Sequence, residues 1–485
     1  METPLGVVLQ RLAEADATRP AITCGPATCT RAELEARTNR LARAYRELGV
    51  TKDSLVTIGL PNGIEFYEAV LAVWKLGATP QPVSSRLPPG ERQAIIDLAR
   101  PALVVGVDPA QAPGRPTIPA GFQPDPSLPA EPLPPAIAAS FKAPTSGGST
   151  GRPKLIVATQ PAVWEALEGF ATLLRIPADG VHLVTGPLYH NGPLTTSLLA
   201  LLKGNHLIVM PRFDAATALA LIERYRVDWM YAVPTMMHRI WRLPDEARRR
   251  ADLSSLRAVF HMAAPCPPWL KEAWIDWLGG ERVLELYGGT EAQSFTIITG
   301  SEWLEHRGSV GRPAFGEIVV LDADGNERPP GEVGEIWMRR GPDAPPSYRY
   351  VGATAKARPG NWESLGDMGW KDKDGYLYLS DRETDMILVG GANVYPAEIE
   401  AALDEHPHVA SSCVIGLPDE EYGNVVHAIV QAAAPVTAAA LDAFLAERLT
   451  KYKRPRSYEF VAEPLRGDDG KVRRSALRAA RVSSR

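Results

Sequence analysis

Between Thr145 and Lys154 the chain reads Thr-Ser-Gly-Gly-Ser-Thr-Gly-Arg-Pro-Lys, three glycines, four hydroxyls and a lysine in one short stretch. Backbone N–H groups in such a loop can turn inward on an anion. Gly147, Gly148 and Gly151 permit the tight turns, and Thr145, Ser146, Ser149 and Thr150 add donors. That is the chemistry of a phosphate cradle. It is not the P-loop GxxxxGK(S/T), because Arg152 follows Gly151. An ordinary Gly/Ser loop has the same composition, so the stretch alone does not decide between the two.

Further reactive groups fall where strands are expected to end, the usual place for ligand sites in α/β folds. Tyr287-Gly288-Gly289-Thr290-Glu291 offers a hydroxyl for a phosphate oxygen and a carboxylate for Mg²⁺. Gly366-Asp367 places an acid on a tight turn, able to accept two hydrogen bonds from a sugar diol; an Asp-type turn reads the same way. His190, after Tyr189, could gate a pocket or act as a base, though such a pair at a strand end is more often structural. Asp381 to Asp385 is a charged boundary segment, and Gly470-Lys471 lies in a polar loop where a lysine is normally only solvated.

The elements that must position these groups alternate. Thr30 starts an amphipathic helix to Leu48 with Glu33 placed for a capping box. Leu55 to Leu60 is a buried strand, Ile64 to Leu76 a second helix, and Leu103 to Val107 another strand. Pro109 to Pro135 is rich in proline and alanine and is read as a surface excursion within one domain. The pattern continues with Leu155 to Ala158 as strand, Pro161 to Leu174 as helix, and strands at Val181, His206, Trp229, Leu256 and Val283. The fold class is therefore α/β, a large N-terminal domain of parallel-type sheets. From Ile318 short strands broken by Gly, Pro and Asp indicate an antiparallel β subdomain over 317–380, and the chain from Ile387 onward has the pattern of a small α+β domain. The expected division is 1–381 and 382–485, with a hinge near 381–385.

The bulk numbers suit this reading. With 485 residues, 45% hydrophobic, 22% charged and net charge −5, the chain is a globular protein with no basic run that would mark a nucleic-acid partner. Cys24, Cys29, Cys266 and Cys413 lack a metal spacing, so free thiols in a reducing compartment are expected. No signal peptide and no membrane-spanning run is present, which points to the cytoplasm.

Taken together, the motifs resemble those of the adenylate-forming acyl-CoA synthetase superfamily, which also contains firefly luciferase and nonribosomal peptide adenylation domains. The similarity runs from about residue 10 to residue 478, in the family's order. Ser146 to Lys154 matches its phosphate loop, Tyr287 to Glu291 its Tyr-Gly-x-Thr-Glu, and Gly366-Asp367 its ribose-binding aspartate. Asp381 to Glu400, with Arg382, Gly390, Gly391, Pro396 and Glu398, resembles its hinge segment, and Gly470-Lys471 its catalytic lysine motif. Ala263 to Pro267, Thr145 to Ile156 and Asp385-Met386-Ile387 look like the branch of bile-acid, steroid and carnitine-type CoA ligases.

The resemblance implies ATP, Mg²⁺ and coenzyme A, and a small-molecule carboxylic acid as substrate. The loop Thr145 to Lys154 would grip the β- and γ-phosphates, Thr290 the α-phosphate and Glu291 the metal. Asp367 and Arg382 would hold the ribose, and Ala264, Tyr287 and Gly288 belong to the same nucleotide site. Lys471 would bridge carboxylate and α-phosphate. Gly390 and Gly391 would line the thiol channel, and His190 would act as its gate. The implied product is the CoA thioester of an apolar aromatic or polycyclic acid. A rival on the same fold passes its adenylate to a carrier protein, an amine or another nucleophile, or activates an oxyacid such as nitrite. Monomer and homodimer are both compatible.

Two positions depart from the family. Thr384 stands at the pivot, commonly Asp or Lys. Met262-Ala263 replaces two glycines beside the acyl pocket, which narrows the groove and favours a flat acid. Trp241, Met236, Met237 and Phe295 are candidates for its lining.

Overall fold

The computed structural model describes residues 2–147, 153–382, 385–389, 392–419, 421–467 and 471–482. At one end of the central sheet the edge strand Ala27–Thr30 pairs antiparallel with the first of six parallel strands, in the spatial order Pro20–Cys24, His206–Val209, Val181–Val184, Trp229–Ala232, Ala258–Met262, Val283–Gly288. These strands are apolar on both faces because helices cover both. Trp229 and Tyr231 enter one core, while Met230 and Ala232, their alternate neighbours, enter the core on the opposite face.

Beyond Val283–Gly288 the same sheet continues antiparallel, through Phe295–Thr299 and Ser309–Phe315 to Leu377–Arg382, Asp367–Lys371 and Gly334–Arg339. The β-rich region is thus hydrogen-bonded to the parallel strands as one surface. A second parallel sheet has the order Thr79–Pro82, Leu55–Ile58, Leu103–Val105, Thr117–Ile118. The last of these strands comes from the proline-rich excursion. Its later carbonyls are held by Asn39 at Ala130 (2.7 Å), Arg40 at Leu128 (3.2 Å) and Arg43 at Glu131 (2.9 Å).

Helix Arg31–Glu47 has the expected capping box: the Thr30 N–H donates to Glu33 at 2.8 Å, and the Glu33 N–H donates to Thr30 Oγ1 at 3.2 Å. The helix expected over Pro161 to Leu174 is instead a 3₁₀ turn, Trp164–Ala166, and a short helix, Glu168–Leu173. The N-terminal segment takes its first residues: Leu5 N–H donates to Ala162 O and Trp164 N–H to Thr3 O, both at 2.9 Å. Those main-chain bonds hold 162–164 extended.

The small domain has its own core, with Ile399, Leu403, Val414, Val426 and Leu441 buried between helices Pro396–Asp404 and Ala438–Ala446 and the sheet Val409–Asp419, Gly423–Ala432, Ser457–Val461. Cys29 and Cys413 are buried, Cys24 and Cys266 half-buried, and all four are free thiols. Among the described residues no helix is long and apolar enough to cross a membrane.

Candidate active site

The glycine loop is carried on a hairpin. Thr145–Gly147 and Pro153–Ala158 pair antiparallel with Ser146 opposite Lys154, so the two flanks of the glycine-rich stretch lie side by side. Gly148, Ser149, Thr150 and Gly151 themselves lie outside the described residues. Gln81, fully buried, donates to the Thr145 hydroxyl at 2.6 Å while its own carbonyl accepts from Thr57. The strand Tyr348–Val351 extends the hairpin on its other side, with Tyr350 opposite Ile156.

Val283–Gly288 delivers the turn that carries Thr290 and Glu291. Glu291 is buried, and its Oε1 accepts a 2.6 Å hydrogen bond from the Tyr350 hydroxyl. Lys154 Nζ lies 3.6 Å from the same oxygen and 4.0 Å from the centre of the Tyr350 ring. Ser347 Oγ donates to the Glu291 main-chain carbonyl at 2.6 Å. Burial, then the adjacent Glu291 charge, hold the Tyr350 phenol far above its ordinary range, so its hydroxyl stays a donor. A Cβ at Gly289 would press on the ends of the Leu365 and Glu291 side chains, so a larger residue there requires both to shift. Thr290, half-buried, makes no side-chain hydrogen bond among the described residues.

Across the sheet, the Tyr287 hydroxyl donates to Asp367 Oδ2 at 2.8 Å. Asp367 and Arg382 are direct partners in the antiparallel pair of Asp367–Lys371 and Leu377–Arg382. Gly288 pairs with Phe295. Ala264 is half-buried just past Ala258–Met262, and Ala263 before it is held at φ +75°, a left-handed conformation that favours glycine. His190 caps helix Asn191–Leu202, its ring 4.2 Å from that of Tyr189. Lys471 is exposed in the small domain, where its carbonyl accepts from Gly467 N–H at 3.0 Å. Gly390, Gly391 and Thr384 lie outside the described residues, although the strands flanking the two glycines, Ile387–Val389 and Ala392–Val394, form a hairpin.

Of the four residues considered for the acyl pocket, Met237 and Trp241 pack on the opposite face of the sheet from Met262, against Trp274 and Trp277. Met236 shares the Met262 side, and Phe295 stacks on Phe315 with centroids 5.4 Å apart. Sequence reasoning missed Lys142, Gln81 and Tyr350. Lys142 is buried three residues before Thr145 and donates to Asn191 Oδ1 and, at 2.9 Å, to Thr195 Oγ1. Burial pushes its ammonium down to about 7, against the opposing pull of Glu291. A lone lysine in the apolar run Ala-Ser-Phe-Lys-Ala was the available signal.

The donor set fits a divalent cation. Glu291 Oε2 has no hydrogen-bond partner among the described residues, and a carboxylate oxygen suits hard Mg²⁺.

Two unequal domains, a hairpin that brackets the glycine-rich stretch and a buried carboxylate just past the parallel strand Val283–Gly288 suit a nucleotide-handling enzyme. The family model for AMP-binding enzyme matches residues 9–348, and that for the AMP-binding enzyme C-terminal domain matches 398–467. Long-chain-fatty-acid–CoA ligase FadD13 of Mycobacterium tuberculosis is 32% identical, covering 93% of this chain and 92% of its own. Feruloyl-CoA synthase of Amycolatopsis sp is 33% identical over 94% and 95%. 2-Succinylbenzoate–CoA ligase of Bacillus licheniformis is 30% identical over 97% and 98%. Among solved structures, o-succinylbenzoate CoA synthetase (MenE) from Bacillus subtilis with its acyl-adenylate intermediate superposes with a TM-score of 0.83 at 26% identity, over 98% of both chains. The chain belongs to the AMP-binding enzyme family, as an adenylate-forming acyl-CoA ligase that uses ATP, Mg²⁺ and coenzyme A.

Proposed function

We propose that this enzyme activates an apolar aromatic or ring-bearing carboxylic acid and transfers it to CoA. The observation that carries this choice is the end of strand Ala258–Met262, where Met262 is buried and Ala263 is held at φ +75°, at the two positions where the family resemblance implies glycines. Added bulk on that edge leaves a slot suited to a flat ring. The feruloyl and 2-succinylbenzoate ligases among the relatives act, by name, on ring-bearing acids, which supports the reading.

In the first half-reaction an oxygen of the acid attacks the α-phosphorus of ATP and pyrophosphate leaves; in the second, the CoA thiol attacks the adenylate carbonyl and AMP leaves. The first step brings two anions together, so donors and cations aimed at the phosphates carry it. The hairpin from Thr145 to Lys154 holds the β- and γ-phosphates, Thr290 donates to the α-phosphate, and Asp367 with Arg382 binds the ribose. Bound at Glu291, Mg²⁺ supplies charge neutralisation on the phosphate oxygens. Lys471 approaches with the small domain, 382–485, turning on the pivot at 381–385. The same turn later brings Gly390 and Gly391 to the thiol path beside His190.

The test is kcat/KM for thioester formation across cinnamic, benzoic, bicyclic and straight-chain acids. Ring-bearing acids are expected to exceed octanoate and palmitate by at least tenfold; the reverse order contradicts the substrate assignment.

A further inference from the structure

Tyr350 touches both charged groups of the phosphate site yet belongs to none of the motifs that mark it. Its strand, Tyr348–Val351, is hydrogen-bonded to the strand that carries Lys154, so hydroxyl and ring are fixed relative to the hairpin. The hydroxyl occupies Glu291 Oε1 at 2.6 Å, while Oε2 has no hydrogen-bond partner among the described residues. The ring face lies 4.0 Å under Lys154 Nζ, whose ammonium is 3.6 Å from Oε1. Tyr348 packs edge-on against the Tyr350 ring at 4.7 Å, and Ser347, just before the strand, pins the Glu291 main chain at 2.6 Å, so this short segment holds Glu291 by both main chain and side chain.

We infer that Tyr350 is a positioning residue for the metal and the triphosphate: its hydroxyl orients the Glu291 carboxylate so that Oε2 faces the cation, and its ring holds Lys154 for the phosphates. The inference rests on Glu291 being the metal ligand. A hydrogen-bonded second partner fixes the orientation of a ligating carboxylate, and its loss typically lowers metal affinity about 10- to 100-fold. A cation over an aromatic face is held by the ring quadrupole without competing for the anions that the cation must bind.

The full-length enzyme is titrated with Mn²⁺ in the presence of an ATP analogue carrying a methylene bridge between the α- and β-phosphates. Bound Mn²⁺ is read by electron paramagnetic resonance and analogue binding by calorimetry, with and without metal. Tyr350→Phe is expected to raise the half-saturating Mn²⁺ concentration about tenfold while leaving metal-free analogue binding within twofold. Tyr350→Leu is expected to weaken metal-free binding several-fold as well, because Lys154 loses its platform. Glu291→Gln is the reference. If it shifts the Mn²⁺ titration and Tyr350→Phe does not, the role of Tyr350 is overturned while the metal assignment stands. If neither shifts it, the metal assignment itself fails and takes the inference with it. Unchanged metal-free binding in Tyr350→Leu overturns the part played by the ring. Should Tyr350→Phe melt well below wild type, Tyr350→Trp, which also keeps a ring and drops the hydroxyl, carries the same expectations.

Discussion

Replacing Lys142 with methionine should make the protein more stable and remove a pH dependence on the alkaline side of neutrality. The ammonium is buried, with acceptors at Asn191 and Thr195 and no carboxylate in ion-pair range among the described residues. Its pKa falls from an ordinary 10.5 to about 7, with burial the main cause. At pH 7 a depression of that size corresponds to about 4 kcal/mol of lost stability. Methionine removes this cost and leaves Asn191 and Thr195 bonded to each other at 3.1 Å, so the lost hydrogen bonds offset only about 1–2 kcal/mol. The expected net gain is about 2–3 kcal/mol. Because the folded pKa lies below the unfolded one, the unfolded chain binds more protons between pH 7 and 10.5, and wild-type stability rises with pH through that window. From pH 7 to pH 9 wild type should gain about 2 kcal/mol relative to Lys142→Met. Urea unfolding followed by tryptophan fluorescence at both pH values measures the two differences. A variant less stable at pH 7, with the same response to pH as wild type, would refute the reasoning.

Ala263→Gly relaxes a left-handed alanine, and should raise stability by up to about 1 kcal/mol while increasing turnover of bulkier acids; calorimetry and the acid panel read the two effects. His182 is buried against Trp229 with no hydrogen-bond partner among the described residues, and burial depresses its pKa to about 3. The unfolded chain takes up the proton first, so stability is lost as pH falls below about 6.5. The contribution of His182→Phe should be flat where wild type loses about 2 kcal/mol between pH 7 and 5, a difference visible in paired urea titrations. Lys75 donates to both carboxylate oxygens of Glu35 at 2.8 Å inside the core. Lys75→Met alone should cost about 3–5 kcal/mol by leaving a buried charge, and adding Glu35→Leu should recover most of it; equal melting points for the single and double variants would count against this.

The parts of the fold legible in the sequence were those set by local chemistry. Thr30 with Glu33 announces its helix because a capping box needs only four adjacent residues, and Tyr287 to Glu291 announces its turn because the donors are contiguous. Asp367 and Arg382 were legible as separate groups, but their meeting depends on an antiparallel register that no short segment encodes. The broken helix near Pro161 was not legible, since main-chain bonds from Thr3 to Leu5, far away in sequence, decide it. Tyr350 escaped for the same reason. Nothing in the sequence singles out Tyr350 from Tyr348, and what distinguishes them is the hairpin across the ladder. Trp241 was a pocket candidate on its apolar character alone; that its helix, Pro234–Trp241, packs it on the face away from Met262 is set by tertiary contacts.

This ligase makes an acyl adenylate before any thiol enters. The direct measurement is isotope exchange between pyrophosphate and ATP, with an aromatic acid and Mg²⁺ but no CoA, followed by CoA addition and detection of the thioester. Acid-dependent exchange that is lost in Lys471→Ala is expected, together with a thioester that appears only with CoA. Exchange independent of the acid, or adenylate that forms and is never captured by CoA, would contradict this reaction order.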